Sequence, residues 1–270
     1  MSSSGTVAVL RRYPVKSMLG EDVAALPIGP EGVSGDRVAA VIDDETGVIA
    51  SAKHPKLWRE LLRFQGRWND GAPMVQPPDG AALALDDPRL PAVLSAALAR
   101  PVHLATDRPE GARVGRPAPE DVIERGSDAD VPYEHLTIGT GTPGRNFVDY
   151  APVHLITTAT LRRVGADLIR YRPNVVLDLP GLEPYAENGW SDREIMAGAA
   201  VLSVLGPTPR CAVPTLEHGR LPREVGAVRV LMRENRIAPS DSGTPQPCLG
   251  AYARVVRGGR ISLGDPVRLG

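Results

Sequence analysis

The chain has few cysteines, no excess of charge of either sign and no long apolar run, and each absence excludes a class of protein. Its 270 residues include two cysteines, Cys211 and Cys248. Two cysteines cannot build a disulfide framework, which suits a reducing compartment, so we expect a cytoplasmic protein. They also fall short of the roughly four thiolates that an iron–sulfur cluster needs, so electrons for any redox chemistry are expected to come from a separate protein.

The charges balance, with 31 basic against 32 acidic residues and a formal net charge of −1. Such a chain has no general attraction for nucleic acid or an anionic membrane, so any anion must be bound by a local cluster. No apolar stretch approaches the roughly 20 residues that cross a bilayer. The N-terminal residues lack the basic and apolar blocks of a signal peptide. We therefore expect neither a nucleic-acid partner nor a membrane span.

Glycine and proline are abundant and dispersed, with 28 and 27 copies. Their spacing predicts many turns between short strands. Strand-like runs cover residues 7–13 and 37–42, and the second of these has a candidate hairpin partner over 47–51. The alanine- and leucine-rich segment 90–98, with Pro91 near its start, predicts a helix.

From residue 154 onward, strand-like runs return between turns and a few helical segments. This pattern predicts a mostly antiparallel sheet that closes on itself. We therefore predict an α+β, β-rich fold: an antiparallel β-barrel with flanking helices over 131–270, packed against a smaller N-terminal β-rich domain over 1–106. Residues 107–130 hold many Pro, Gly, Asp and Glu without periodicity and are predicted to be a loop or domain boundary.

Two familiar motifs fail on inspection. Residues 139–144 match the dinucleotide pattern G-x-G-x-x-G, but Pro143 lies inside it and no amphipathic helix follows, so we predict a glycine loop. The five histidines are scattered without zinc spacing. A cysteine hydrolase would need a histidine folded beside Cys211; His218 is the nearest in sequence and a weak candidate.

Cys211 is the most informative residue. It follows the apolar run 201–205 through a proline-rich turn, and Arg210 stands directly before it. A neighbouring cation favours the thiolate, the form that binds metals and attacks electrophiles. A lone thiol can equally be a small buried hydrophobe, so both interpretations stay open at this point. Cys248 has no adjacent cation, and we expect it to be structural.

Four short segments place a cation or a hydroxyl at a turn or near the end of a strand. They contain Lys16 with Ser17, Arg37, Arg172 with Asn174, and Arg210. One such cation is typically a solvated surface residue. Four segments in a nearly neutral chain, one of them beside a candidate thiolate, predict convergence on an anionic ligand. Thr157 or Thr158 begins a predicted helix, where exposed amides readily bind phosphate.

These segments resemble the MOSC family, the molybdenum-cofactor-sulfurase C-terminal domain proteins, in the form that carries an N-terminal β-barrel region. Residues 13–17 and 35–37 are similar to the N-terminal region, while 152–158, 172–174, 210–211 and 261–267 are similar to the MOSC domain. The resemblance extends over nearly the whole chain and implies a MOSC-type barrel. Similar proteins include the amidoxime-reducing components of mitochondria and their bacterial counterparts.

The resemblance implies a molybdenum cofactor, a molybdopterin with one molybdenum, whose single protein ligand and catalytic residue would be Cys211. A thiolate donor suits that metal. The residues at the family's cofactor-binding positions would be Lys16, Ser17, Arg37, Thr157, Thr158, Arg172, Asn174, Arg210 and Tyr252. Lys53 stands where relatives often carry arginine, which leaves its role open.

The implied activity is an oxidoreductase that removes oxygen from small N-hydroxylated compounds or N-oxides, supplied with electrons by a flavin, iron–sulfur or haem protein. Two alternatives stay open. One is a sulfur carrier that uses a Cys211 persulfide, and the other is a binding module that keeps the fold without the chemistry. Asp178 and Glu187 are acidic residues after Arg172, and we expect both to be solvated loop carboxylates.

Overall fold

Short strands make up most of the regular structure. The computed structural model describes residues 3–69, 71–239 and 243–270. The strands are β1 (Ser3–Arg12), β2 (Glu21–Asp22), β3 (Ala25–Gly29), β4 (Gly32–Val33), β5 (Ala40–Asp43), β6 (Gln65–Asn69), β7 (Ala72–Gln76), β8 (Leu83–Ala84), β9 (Val102–Ala105), β10 (Arg113–Pro117), β11 (Tyr133–Thr137), β12 (Val153–Thr157), β13 (Val175–Asp178), β14 (Glu194–Ala197), β15 (Ala200–Pro209), β16 (Arg236–Ile237), β17 (Gln246–Arg257), β18 (Gly259–Ser262) and β19 (Pro266–Leu269).

Few helices accompany them. The α-helices are α1 (Pro55–Trp58), α2 (Leu90–Leu98), α3 (Pro119–Arg125), α4 (Thr158–Val164) and α5 (Gly226–Glu234). Four 3₁₀ turns cover Arg59–Arg63, Leu168–Arg170, Ala186–Gly189 and Val213–Thr215. Among the described residues, no helix is long and apolar enough to cross a membrane.

Seven strands close into a barrel. Their order around it is β12, β13, β1, β19, β14, β15 and β17, and β17 pairs back onto β12. Every neighbouring pair is antiparallel except β12 with β13. The barrel interior is filled by buried apolar side chains from all seven strands, including Leu10, Leu155, Leu177, Leu202 and Val267. Burial of this apolar surface is the main stabilising contribution. The predicted β-rich α+β fold with a closed antiparallel barrel is confirmed.

The first strand of the chain, β1, is part of the barrel wall and pairs with β13 on one side and β19 on the other. The small sheet β18–β3–β4 also joins the N-terminal segment to the end of the chain. Residues 39–102 instead form a second core around Trp58, Leu61, Leu90 and Leu94. The two halves are thus tied by backbone pairing, and the division into domains at 106 and 131 stays a prediction.

Local predictions had mixed outcomes. The strand over 7–13 falls largely within β1, and the predicted helix is α2, which ends where Ala99 takes a left-handed conformation. The loop predicted over 107–130 is wrong, because β10 and α3 lie there. Pro119 opens α3, and Glu120 and Asp121 fall in its first turn, where they suit the helix dipole. The prolines and acids that we took for loop composition are helix start signals.

Candidate functional site

Cys211 lies just beyond the end of β15, where two cavities meet. The backbone N–H of Arg210 donates to Pro247 O at 2.7 Å, which fixes the turn against β17. On one side the thiol packs with Ala52, Leu62 and Val213. The residue is 9% exposed, so the thiol is largely buried and open only toward the cavities. The structure therefore places this cysteine at a site rather than within the closed core.

The first cavity, which we call the basic cavity, encloses about 680 Å³ including its mouth. Five cationic residues and Cys211 share its wall. The cations are Lys16, Arg37, Lys53, Arg172 and Arg210. Of the ten site residues predicted from sequence, eight line it: Lys16, Ser17, Arg37, Arg172, Asn174, Arg210, Cys211 and Tyr252. The predicted convergence of separate basic segments is thus present in the fold.

Three of these residues have left-handed backbone conformations. The φ angles are 64° at Ser17, 48° at Arg37 and 57° at Arg172. Side chains other than glycine adopt this region rarely and at a cost of order 1 kcal/mol, and such strain concentrates at functional sites. Half of the six such non-glycine residues in the described chain thus lie in one cavity wall. The left-handed conformations thus coincide with the placement of the three residues around one cavity.

The arginines of the basic cavity contact an aromatic ring or donate to backbone carbonyls, and some of their N–H groups have no hydrogen-bond partner among the described residues. Tyr13 is fully buried, and the guanidinium carbons of Arg37 and Arg172 lie 4.9 and 4.4 Å from its ring centre. Arg172 Nη1 donates to Met18 O at 2.6 Å, and Arg210 Nη2 donates to Tyr171 O at 2.7 Å. Arg172 Nη2 and Arg210 Nε are buried without a hydrogen-bond partner among the described residues. Unpaired buried donors are costly, so these atoms indicate an acceptor that a ligand would supply.

A carboxylate balances part of the positive charge. Asp149 Oδ1 accepts from Lys16 Nζ at 2.6 Å and from Lys53 Nζ at 3.0 Å. Burial favours the neutral acid, but the two ammonium groups outweigh it and hold the pKa of Asp149 well below its usual range. Burial lowers the pKa of Lys16 to about 8, against the attraction of Asp149. Sequence reasoning missed Asp149, because it is a lone acid in an irregular segment with no motif.

Asn174 and His154 form the floor of the basic cavity. Asn174 Oδ1 accepts from the His154 backbone N–H at 3.2 Å and from Arg37 Nη1 at 3.5 Å. Its Nδ2 donates to Arg11 O at 3.3 Å, so the amide joins three segments and positions Arg37. Burial, with help from Arg210, lowers the pKa of His154 to about 3, so its ring is neutral. Tyr252 packs near this ring, with ring centres 5.9 Å apart.

Thr157 and Thr158 do not line the basic cavity, and cofactor binding by them stays a prediction. Thr157 caps α4, and its buried hydroxyl donates to Glu187. Thr158 donates to Asp178. Glu187 is fully buried, and burial raises its pKa, so the expectation of a solvated carboxylate is wrong for it. Both hydroxyls form hydrogen bonds within the fold, that of Thr157 to Glu187 and that of Thr158 to Asp178. His218, the weak hydrolase candidate, lines neither of the two cavities.

The second cavity, which we call the apolar cavity, encloses about 1110 Å³ including its mouth. Its apolar walls are Leu136, Ile138, Leu205, Pro207, Pro209 and Pro239. Tyr150 and Tyr252 add aromatic surface, and Arg116 adds a cation. Cys211 and Arg210 line both cavities, as do Asp149 and Lys53. A group bound at Cys211 would therefore face both spaces.

The donor set does not suit a metal held by the protein alone. No group of three or more His, Cys, Asp or Glu side chains that could hold a metal occurs in the described ranges. One thiol, five cations and two unpaired guanidinium N–H groups suit instead an anionic ligand.

Comparison with known proteins adds the family. A family model of the MOSC domain matches residues 143–268, and one of the MOSC N-terminal beta barrel domain matches residues 4–106. The chain is similar to the crystal structure of the YUAD protein from Bacillus subtilis, at 10% identity over 100% of this chain and 97% of that chain, with a TM-score of 0.46. It is also similar to YiiM from Geobacillus stearothermophilus, at 19% identity over 58% of this chain and 72% of that chain, with a TM-score of 0.31. No curated protein matches.

Proposed function

Because the chain is a MOSC domain protein that carries both the MOSC N-terminal beta barrel domain and the MOSC domain, we propose that it is a molybdenum-cofactor-dependent oxidoreductase. It would reduce small N-hydroxylated compounds or N-oxides. The observation that carries the proposal is the basic cavity itself, in which Cys211 shares a wall with unpaired N–H groups of Arg172 and Arg210.

The residues that would hold the cofactor follow from their contacts. Cys211 would ligate the molybdenum. Arg172 Nη2 and Arg210 Nε would donate to its phosphate or pterin, since both are buried and free. Charged hydrogen bonds of this kind are the strong ones, and a guanidinium fork matches phosphate. When bound, the cofactor supplies the two-electron exchange and the oxygen acceptance, and the protein orients it.

The chain also offers a proton carrier in the cavity that the thiol lines. Reduction of an N–O bond to an amine and water consumes protons as well as electrons. Lys16 Nζ donates to Asp149 at 2.6 Å and to Phe147 O at 2.9 Å, and its pKa of about 8 lets it exchange a proton near neutral pH. Asp149 lines both cavities, and its carboxylate, which stays ionised, would hold the Lys16 ammonium in place for this exchange. Electrons would come from a separate flavin, iron–sulfur or haem protein.

Metal and pterin content of the purified chain test the proposal. The protein would be expressed in a host that makes the molybdenum cofactor and measured by elemental analysis, with pterin measured after oxidative release. Near-stoichiometric molybdenum with pterin is the expected result. Protein from such a host that contains neither contradicts the proposal.

A sulfur carrier is the second candidate, and the exposure of the Cys211 thiol to two cavities favours it. The thiol opens onto two cavities and has no disulfide partner. A persulfide would add about 32 Da, one sulfur atom, to the intact mass at Cys211. That increment in a molybdenum-free protein supports the carrier, whereas an unmodified thiol alongside bound pterin excludes it.

A further inference from the structure

We propose that the apolar cavity binds an organic carboxylate with a hydrocarbon or aromatic body, and that its carboxylate pairs with Arg116. This deepens the proposed function and rests on it in one respect, because the bound molecule would be the substrate whose other end reaches Cys211. The carboxylate assignment itself depends only on the contacts in this cavity.

The walls select an apolar body. Six aliphatic or proline side chains and two tyrosines surround the space. Tyr150 and Tyr252 lie with ring centres 5.6 Å apart and provide a flat aromatic face. Ligand pockets of this kind bury most of a small molecule's surface and use few polar groups to orient it.

Arg116 is the polar group that orients the ligand. It lies on β10 and is partly buried, and its Nη2 donates to the neutral amide oxygen of Gln246 at 3.0 Å. No carboxylate of the described residues forms an ion pair with it. Arg236, by contrast, is paired with Glu120 at 2.7 Å. A partly buried guanidinium without an acid is a suitable partner for a carboxylate, which it can bind through two parallel hydrogen bonds.

The remaining charges fix the direction of the ligand. Lys53 is paired with Asp149 at 3.0 Å, a carboxylate that it shares with Lys16. Arg210 lies at the Cys211 end and donates to Tyr171 O on the side of the basic cavity. Lys53 and Arg210 line the basic cavity as well, whereas Arg116 lines the apolar cavity alone, so a carboxylate bound there pairs with Arg116 and its apolar body lies among the other walls that Cys211 shares.

The test measures binding to the full chain as purified, by isothermal titration calorimetry, with 3-phenylpropionate as the probe. Its neutral amide, 3-phenylpropionamide, and acetate serve as matched probes. We expect 3-phenylpropionate to bind at least about tenfold more tightly than either, since both a charged hydrogen bond and an apolar body are needed. Equal binding of the amide or of acetate overturns the proposal, and this comparison needs no variant.

Two variants locate the carboxylate. Arg116→Gln should weaken 3-phenylpropionate binding by about tenfold or more. The control is Arg113→Gln, at an exposed arginine on the same strand, which should leave the affinity unchanged. Unchanged affinity in Arg116→Gln, or weaker binding in Arg172→Gln but not in Arg116→Gln, would place the anion elsewhere and overturn the proposal.

The outcome is separable from that of the proposed function, because binding needs neither metal nor electrons. Binding that depends on Arg116 in a chain without molybdenum supports this site and contradicts the oxidoreductase. A chain that carries molybdenum but shows no binding dependent on Arg116 retains the oxidoreductase and overturns the carboxylate site.

Discussion

The basic and apolar cavities share the wall at Cys211 and differ in how their side chains are held. Around the basic cavity, three residues are held in left-handed conformations and two arginines stack on Tyr13. The apolar cavity is bounded mainly by prolines and aliphatic side chains, and Arg116 is the cation that it does not share with the basic cavity. Pre-positioned charge lowers the cost of ordering on binding, so the first cavity suits a ligand that is retained. The apolar cavity suits a ligand that binds and dissociates.

The largest expected effect separates the two cysteines. Cys211→Ser should fold normally but lose its molybdenum, because the chain's only predicted ligand to the metal is removed. Cys248→Ser is the matched control: that thiol is fully buried, burial raises its pKa to about 11, and it lines neither cavity. Elemental analysis of both variants decides the matter. Molybdenum retained in Cys211→Ser would make the ligand assignment wrong.

The next effect concerns the free guanidinium groups. Arg172→Ala and Arg210→Ala should each weaken cofactor retention by about 1.5–3 kcal/mol, the range for a charged hydrogen bond. Exposed Arg220→Ala serves as the control and should retain the wild-type pterin content. Fluorescence of the released pterin, measured after equal dialysis, reports the difference. Equal content in all four proteins would show that these arginines do not hold the cofactor.

Acid should destabilise the fold through two buried histidines, of which His154 lines the basic cavity and His218 lines neither cavity. Burial lowers the pKa of His154 to about 3 and that of His218 to about 4, from the ordinary 6.5. Both rings are neutral in the fold, whereas in the unfolded chain they become protonated below about pH 6.5. The fold therefore has its full stability above pH 6.5. Stability is lost as the pH falls toward the folded values, by about 2 kcal/mol for each histidine at pH 5.

Thermal melts between pH 7.5 and 4.5 check this expectation. The melting temperature should decrease as the pH is lowered from 6.5, and in His154→Gln this decrease should be smaller. No histidine of the described chain lines the apolar cavity. A melting temperature that stays constant over this range would contradict the assignment of two neutral buried histidines.

The smallest effect concerns Cys248. Cys248→Ala removes a buried sulfur atom whose neighbours can only partly close the space, so the free energy of unfolding should fall by about 1 kcal/mol. Molybdenum content should not change. Urea denaturation measures the first quantity, and a loss of metal in this variant would break the distinction between the two thiols.

Sequence reasoning found the basic cavity better than the apolar one, for a physical reason. Lys16, Arg37 and Arg172 stand at turns, where a cation beside proline or glycine is visible in one sequence. Asp149 carries no such local signal, since its role arises from where distant segments meet. Arg116 does stand between Gly115 and Pro117, but it lies within strand β10 rather than at a turn. Thr157 was correctly placed at a helix start, but its bond to buried Glu187, 30 residues away, could not be seen in the sequence.

X-ray absorption at the molybdenum edge tests the central claim most directly. If Cys211 ligates a metal whose other sulfurs come from the pterin dithiolene, the purified chain should show one sulfur neighbour more than the dithiolene supplies. A spectrum with only the dithiolene sulfurs, in a chain that nevertheless holds molybdenum, would contradict the claim that Cys211 binds the metal.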